Sequence, residues 1–496
     1  MNPQKIRKNI SLLSALVIFA FTTNCGSSRK VTYIPPLTDK SATILAVNDM
    51  HAAIDNFPRF AFMVDSLREI YPDMLLISGG DNQTGGPVND QYKPKGYPMI
   101  ALMNAVGFDF SVVGNHEFDT SQEGFATLID SAHFDFICAN AIPPQNSRIK
   151  LSPYKIITMP NGLKMAFTSV LDINNTGIPD SHPANVVGFK FDNPFETAKD
   201  LVHLKDSADI LIYVNHFGFE NDVELAEMLP PNKVDLIIGG HSHTKIDTEQ
   251  IHNNILITQA ERKLKYATLI ELTQKANGTL ERHMKLMDVG KKGNLNKEVL
   301  AIVDKFNDNP ILNEKIATAE ADLNSFQKVG YLMVDALRKG AKTDIALINP
   351  GGVRINLISK GDVTIKDIYS ADPFGNEIVV YNLTGHELKN LYFSAFPMDE
   401  DIPMIPSGIK TTYHLTKDGK MADVDFFNPD GSPLDMDKTY SVSVNSFIAS
   451  AYVFDKEDEG TTLFKGTAEN MIDYLRELKI IPSYDNEDRI SLLNQN

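Results

Sequence analysis

The sequence predicts an α/β layer fold, and three observations carry that prediction. Short apolar, β-branched runs recur through the first half of the chain, helically spaced segments separate several of them, and the runs end in Asp, Asn or His. "ATILAVND" reads as a strand ending at Asp49, with His51 just beyond it. "DMLLISGGD" ends at Asp81, "DFSVVGNH" at Asn115 and His116, "DILIYVNH" at His216, and "VDLIIGGHSH" at His241 and His243. "FPRFAFMVDSLREI" and "YPMIALMNAVG" carry the spacing of helices that cover a sheet. Alternation of this kind argues for helices layered on strands.

A chain of 496 residues is too long for one ordinary domain. Its net charge of −17 repels polyanions, so duplex DNA and long RNA are excluded as partners, while a small anion is not. Two cysteines and no tryptophan exclude a disulfide-stapled fold, and Cys138, at the end of "FDFICA", reads as a buried thiol. At the N-terminus, Lys5, Arg7 and Lys8 precede an apolar run from Ile10 to Phe21. That run is shorter than the roughly 20 residues of a membrane span and suits a signal peptide. Cys25 follows, then Gly26-Ser27-Ser28. The arrangement resembles a bacterial lipoprotein signal, which implies export to the periplasm or cell surface and a lipid anchor at Cys25. Thr22 and Asn24 depart from the usual Leu and small residue before the cysteine.

In α/β folds, ligands bind outside the carboxyl ends of the strands. One His at a strand end is more often a satisfied surface residue than a ligand, but five successive ends carrying Asp, Asn or His are poorly explained by chance. His133, His182, His203 and His252 have no such company and read as structural. Carboxylate, imidazole and one amide, with no thiolate, suit Zn, Mn, Fe or Mg. Seven candidate ligands are too many for one tetrahedral ion and suit two divalent ions sharing a carboxylate, about 3.5–4 Å apart.

"NDMH", "GGDN", "GNHEFD", "VNH" and "GGHSH", in that order, resemble the calcineurin-like metallophosphoesterases, and more closely the 5′-nucleotidase and UDP-sugar hydrolase branch. The resemblance covers roughly residues 41 to 480. It implies an N-terminal four-layer αββα sandwich over 41–290, after a signal peptide at 1–25 and a spacer at 26–40. A linker helix and connector at 291–318 and an α+β substrate-binding domain at 319–490 would follow. Carried over by position, Asp49, His51, Asp81 and His243 look like the ligands of one metal, and Asp81, Asn115, His216 and His241 like those of the other. His116 and Asp119 look like the catalytic pair. Gly79, Gly80, Gly114, Gly239 and Gly240 let the backbone turn beneath the ligands.

After Leu272 the chain changes character, and "NLNKEVLAIVDKFNDNPILNEKI" reads as a solvent-facing helix and connector. From "VGYLMVDALRKGAKTDIALINPGGVR" onward the sequence is similar to the family's C-terminal domain. "NPGGVR" there offers the Asn349 amide, two glycines (Gly351 and Gly352) and the Arg354 fork, which fits phosphate or carboxylate. Three departures stand out. "NSFQK" replaces an expected Arg, Pro403 and Met404 sit where a second aromatic is expected, and Ala451-Tyr452-Val453 replaces a Gly-rich loop whose Asp would hold ribose hydroxyls. Phe447 remains at one base-stacking position, with Tyr452 or Phe454 as a substitute for the other. The resemblance implies a phosphohydrolase acting on nucleotides or nucleotide-sugar diphosphates through a metal-activated water. Alternatives are the same chemistry on a 2′,3′-cyclic nucleotide, a sugar phosphate or another phosphoester, and a surface-binding lipoprotein without turnover.

Overall fold

The computed structural model describes residues 38–290, 293–395, 404–417 and 420–494. Cys25 and Pro403 lie outside these residues.

Two six-stranded sheets form the N-terminal half. In the first, Lys40–Val47 is paired in parallel with Leu75–Ser78, which leads on to Phe110–Val112 and Asp135–Ile137. Its other edge pairs antiparallel with Tyr266–Gln274 and then Leu280–Asp288. The second sheet holds Ile210–Val214 and Leu236–Ile238 at its centre, with Lys164–Thr168 and Ile255–Thr258 on either side.

Side chains alternate across a strand, and the apolar residues follow that period of two. Ile44 and Ala46 pack with Ile212, Val214 and Leu236 between the two sheets. Leu45 and Val47, one step out of phase, pack instead against Phe60 and Val64 of the helix Phe57–Ile70 and against Met99 and Met103 of the helix Tyr97–Val106. Leu211, Tyr213 and Ile237 on the far face of the second sheet meet Leu225 and Ala226 of the helix Phe219–Met228. Helix, sheet, sheet, helix is therefore the layer order. Both covering helices of the first sheet occupy the segments that the sequence spacing marks. Pro72 follows the first closely, and Gly107 closes the second at φ +77.

The segment expected to face solvent contains the helix Lys297–Asn307, capped by the Asn296 side chain accepting from Val299 N–H. One face is exposed, but Val299 and Val303 are buried and Phe306 lies edge-on to Tyr92, with ring centroids 5.3 Å apart. The connector then becomes the strand Lys315–Ala319, which pairs with Gly361–Thr364 and Ile480–Ile481.

A five-stranded sheet centres the C-terminal half, in the order Ile405–Ser407, Ile345–Ile348, Thr439–Asn445, Glu377–Thr384, Thr461–Gly466. Ile345–Ile348 runs parallel to Thr439–Asn445, and Glu377–Thr384 runs antiparallel to it. Three chain segments consequently gather at one sheet end: Asn349 onward, Asn445 onward, and the residues leading into Glu377. That end faces the ligand-bearing strand ends of the N-terminal half across a cavity of about 650 Å³.

Candidate active site

Asp49, His51, Asp81, His241 and His243 all adopt left-handed backbone conformations, with φ between 44° and 77°. Such φ values are uncommon for non-glycine residues and cost of order 1–3 kcal/mol each, so surrounding bonds must hold them. Those bonds are present. Asp49 N–H donates to Gly80 carbonyl at 2.9 Å, and His51 N–H to Asp81 carbonyl at 3.0 Å. The His241 N–H reaches across from the second sheet to the Asp49 carboxylate at 3.0 Å. Close approach also explains Gly114, where an added Cβ would stand 2.2 Å from Asp81 Oδ1.

The seven candidate ligands converge. Asp49, His51 and His243 form one group able to hold a metal, and Asp49, Asp81 and His216 another. His51 Nε2 lies 2.9 Å from His243 Nε2, and His243 Nε2 lies 3.3 Å from Asp49 Oδ1. On the other side of Asp81, His216 Nε2 is 3.2 Å from Asp81 Oδ2. His241 Nδ1 is 3.1 Å from Asn115 Oδ1.

The bonds around two of these rings, His51 and His216, leave one nitrogen of each free for a cation. His51 Nδ1 donates to the Thr84 carbonyl at 3.1 Å and His216 Nδ1 to the Gly79 carbonyl at 2.8 Å, which fixes Nε2 as the open nitrogen in both. The buried His216 Nε2 has no hydrogen-bond partner. Asn115 donates its amide to the Asp180 carbonyl at 2.9 Å and so presents Oδ1 inward. Burial opposes charge on His216, but Asp81 and Asp49 together raise its pKa, which shows a cluster that demands positive charge. Donor chemistry, open lone pairs and electrostatics all fit divalent cations.

Beside the cluster, His116 Nδ1 donates to Asp119 Oδ2 at 2.6 Å, and Ser181 Oγ donates to Asp119 Oδ1 at 3.2 Å. His116 Nε2 lies 3.9 Å from Asp81 Oδ2 and 3.4 Å from Arg354 Nη2. Burial alone would lower the His116 pKa, but the Asp81 and Asp119 carboxylates outweigh it and raise it. Arg354 lies over the Phe374 ring, 5.4 Å from its centroid, and that ring stacks on His116 at 6.0 Å.

Several participants were not singled out from sequence. Glu117, in the middle of "GNHEFD", accepts from the N–H groups of Asp81, Asn82 and Gly114 at 2.7–3.0 Å and so ties two ligand-bearing turns together. Its position among ligands and glycines was the available signal. Asp172, whose pKa burial pushes up to about 6, lies 3.5 Å from His241 Nε2 and orients that ring. His182, expected to be structural, lines the cavity, and its Nδ1 accepts from Ala184 N–H.

In the C-terminal wall, Gly351, Gly352, Arg354, Phe447 and Tyr452 all line the cavity, and so does Asn349, whose Oδ1 accepts from Asn445 Nδ2 at 3.0 Å. Tyr452 packs edge-on against Phe447. The expectation of a missing second aromatic is corrected by Phe374, which lines the same cavity from another segment. Met404 is buried in the C-terminal core, and Phe454 packs against Tyr381. In "NSFQK", Ser325 caps the helix Phe326–Ala341 and Lys328 pairs with Asp485 at 2.6 Å.

A helix–sheet–sheet–helix sandwich with a cluster of Asp and His side chains able to hold metal at its strand ends, flanked by a His–Asp pair and an Arg, defines a metal-dependent phosphoesterase. Residues 42–245 match the family model for calcineurin-like phosphoesterases, and residues 313–453 that for the 5′-nucleotidase C-terminal domain. A 5′-nucleotidase of Vibrio cholerae is 28% identical over 89% of this chain and 90% of its own length. The trifunctional nucleotide phosphoesterase protein YfkN of Bacillus subtilis is 26% identical over 82% of this chain, which spans 32% of that protein. The crystal structure of a 5′-nucleotidase precursor from Thermus thermophilus superposes with a TM-score of 0.80, at 25% identity, over 92% of this chain and 100% of that one. The chain belongs to the 5′-nucleotidase family of metal-dependent phosphoester hydrolases.

Proposed function

We propose that the chain is an exported phosphohydrolase that uses two divalent ions to cleave nucleotides and nucleotide-sugar diphosphates by attack of an activated water. The observation that carries this reading is the convergence of His116, Arg354 and the Asp81-centred ligand cluster on one aromatic-lined cavity. Asp49, His51, Asp81 and His243 would hold one ion, and Asp81, Asn115, His216 and His241 the other. Bound there, such ions activate water and polarise phosphoryl oxygens.

The chain's own residues supply the rest. His116 and Arg354 present two donors 3.4 Å apart, and an anion placed between them satisfies both. His116, held by Asp119 and raised in pKa, keeps a proton at Nε2 and delivers it to the leaving oxygen as the P–O bond breaks. Phe374 and Phe447 offer aromatic faces to a base, each stack worth about 1–3 kcal/mol. That pair favours a nucleotide over a bare sugar phosphate.

The test is phosphate release from AMP, UDP-glucose, a 2′,3′-cyclic nucleotide and a sugar phosphate by protein loaded with Mn²⁺ or Zn²⁺, with a coupled phosphatase for products that retain phosphate. Preference for AMP or UDP-glucose supports the reading. Turnover without that preference moves the substrate elsewhere, and no turnover by metal-loaded protein leaves a binding protein.

The Arg354 fork, which fits phosphate or carboxylate, contacts His116, and that contact supports a role at the phosphoryl group. Arg354→Ala is therefore expected to lower kcat/KM by roughly 10–100-fold, the weight of a charged hydrogen bond. The loss should be similar on AMP and on p-nitrophenyl phosphate, and Lys should not restore it. A defect confined to AMP would return Arg354 to a role in nucleoside selection.

Export and anchoring belong to the same proposal. Among the described residues no helix is long and apolar enough to cross a membrane. If acylated Cys25 is the anchor, Cys25→Ser moves the protein from the membrane fraction to the soluble one; continued sedimentation with membranes would exclude it.

A further inference from the structure

One carboxylate on the C-terminal wall of the cavity is not used by the chemistry above. Among the described residues, Glu377 is the only acidic residue that the C-terminal half contributes to the cavity wall. A carboxylate beside a phosphate-binding cavity repels the phosphate and accepts hydrogen bonds only, so it suits a neutral donor on the nonreacting part of the substrate.

Its setting is built. Glu377 N–H donates to Ser446 Oγ at 3.1 Å. The Asn376 Oδ1 accepts from Ser446 Oγ at 3.0 Å and from Phe447 N–H at 3.2 Å. Thr462 Oγ1 donates to Glu377 Oε2 at 2.8 Å. The Ser446 and Asn376 bonds tie the backbone at Glu377 to the segment that carries the Phe447 ring, and the Thr462 bond holds the carboxylate itself. Thr462 lies on the edge strand Thr461–Gly466, whose pairing register shifts between Glu377 and Val379. Such irregularities beside a site re-aim side chains. Oε1 has no hydrogen-bond partner among the described residues. Ala451-Tyr452-Val453, on the neighbouring stretch of wall, offers no carboxylate.

We propose that Glu377 is a specificity residue that accepts hydrogen bonds from the vicinal hydroxyls of a nucleoside sugar whose base lies against Phe447. The proposal rests on the nucleotide reading of the site. Two hydroxyls donating to one carboxylate form charge-assisted bonds, and removing them leaves the acceptor unpaired.

The experiment is calorimetric binding of adenosine, 2′,3′-dideoxyadenosine and inosine to the full Mn²⁺-loaded chain, for wild type, Glu377→Ala and Glu377→Gln. Wild type is expected to bind adenosine about tenfold more tightly than the dideoxy compound, the low end for charged hydrogen bonds at an open site. Both variants should lose most of that ratio. Unchanged thermal midpoints and metal content establish that they are folded, and Glu377→Gln, nearly isosteric, guards against a packing artefact. A ratio that survives in both variants overturns the proposal. So does a change confined to adenosine against inosine, which would assign the carboxylate to the base amine. Equal wild-type affinity for adenosine and the dideoxy compound defeats the Glu377 role alone, whereas no nucleoside binding defeats the nucleotide reading with it.

Discussion

Asp81→Asn is expected to lower kcat by at least about 10³-fold and to remove at least one of two bound ions. Asp81 Oδ2 lies 3.2 Å from His216 Nε2 and 3.9 Å from both His51 Nε2 and His116 Nε2, so one oxygen addresses both sides of the cluster. Its Oδ1 accepts the His116 N–H at 2.9 Å, which couples this candidate ligand to the turn that carries His116. Asn removes the negative charge and replaces one acceptor by a donor, directed at a cation or at the His116 N–H. Metal polarisation contributes several kcal/mol, and about 4 kcal/mol corresponds to three powers of ten in rate. Metal content by mass spectrometry, measured with kcat on AMP, checks both halves. A variant that keeps two ions and loses less than tenfold in kcat would mean that Asp81 does not bridge.

How much of this was legible in the sequence depends on the range of the interaction. Strand ends were legible because alternation of Ile44 and Leu45, or Ile212 and Tyr213, sorts residues between two cores, and period two is a local signal. The ligands were legible because their polarity interrupts those apolar runs. Their left-handed backbones were not, since Asp49, His51 and Asp81 are not residues whose identity requires positive φ. Long-range partners were also hidden. Arg354 and His116 meet across 238 positions, and nothing near either announces the other. Phe374 in "DPFGN" reads as another core aromatic until the sheet end delivers it to the cavity. Glu377 sits at the first position of a strand, where an acid normally signals solvent, and only the gathering of three segments gives it a site.

These hidden contacts bear on how the two halves divide the work. The N-terminal strand ends supply the candidate ligands, and the C-terminal sheet end supplies Arg354 and the aromatic rings, yet Phe374 touches both Arg354 and His116. In the proposed reading, binding and chemistry therefore meet at the His116 ring.

His116→Ala separates proton delivery from metal binding. Loss of a positioned general acid costs typically 10²–10⁴ in rate, so kcat is expected to fall at least about 10²-fold. Metal content should stay near that of the wild type, because His116 Nδ1 is committed to Asp119 and the seven other groups suffice for two ions. The geometry makes this a sharp test, since His51, Asp81 and His116 also stand close enough to form a ligand group. If the variant loses an ion in proportion to its activity, His116 is a ligand and proton delivery belongs to another residue, with His182 on the same cavity wall the next to examine. If the ions stay, Asp119→Asn should reproduce part of the defect. It leaves the imidazole in place but removes the carboxylate that orients Nδ1–H and favours the charged ring. A substrate with a better leaving group should recover much of the lost rate in His116→Ala, because it needs no proton at the departing oxygen. A leaving-group series on both proteins would show this as a steeper dependence on leaving-group pKa in the variant. Parallel lines would place His116 on the phosphoryl oxygens, beside Arg354, as an electrostatic stabiliser rather than a proton donor.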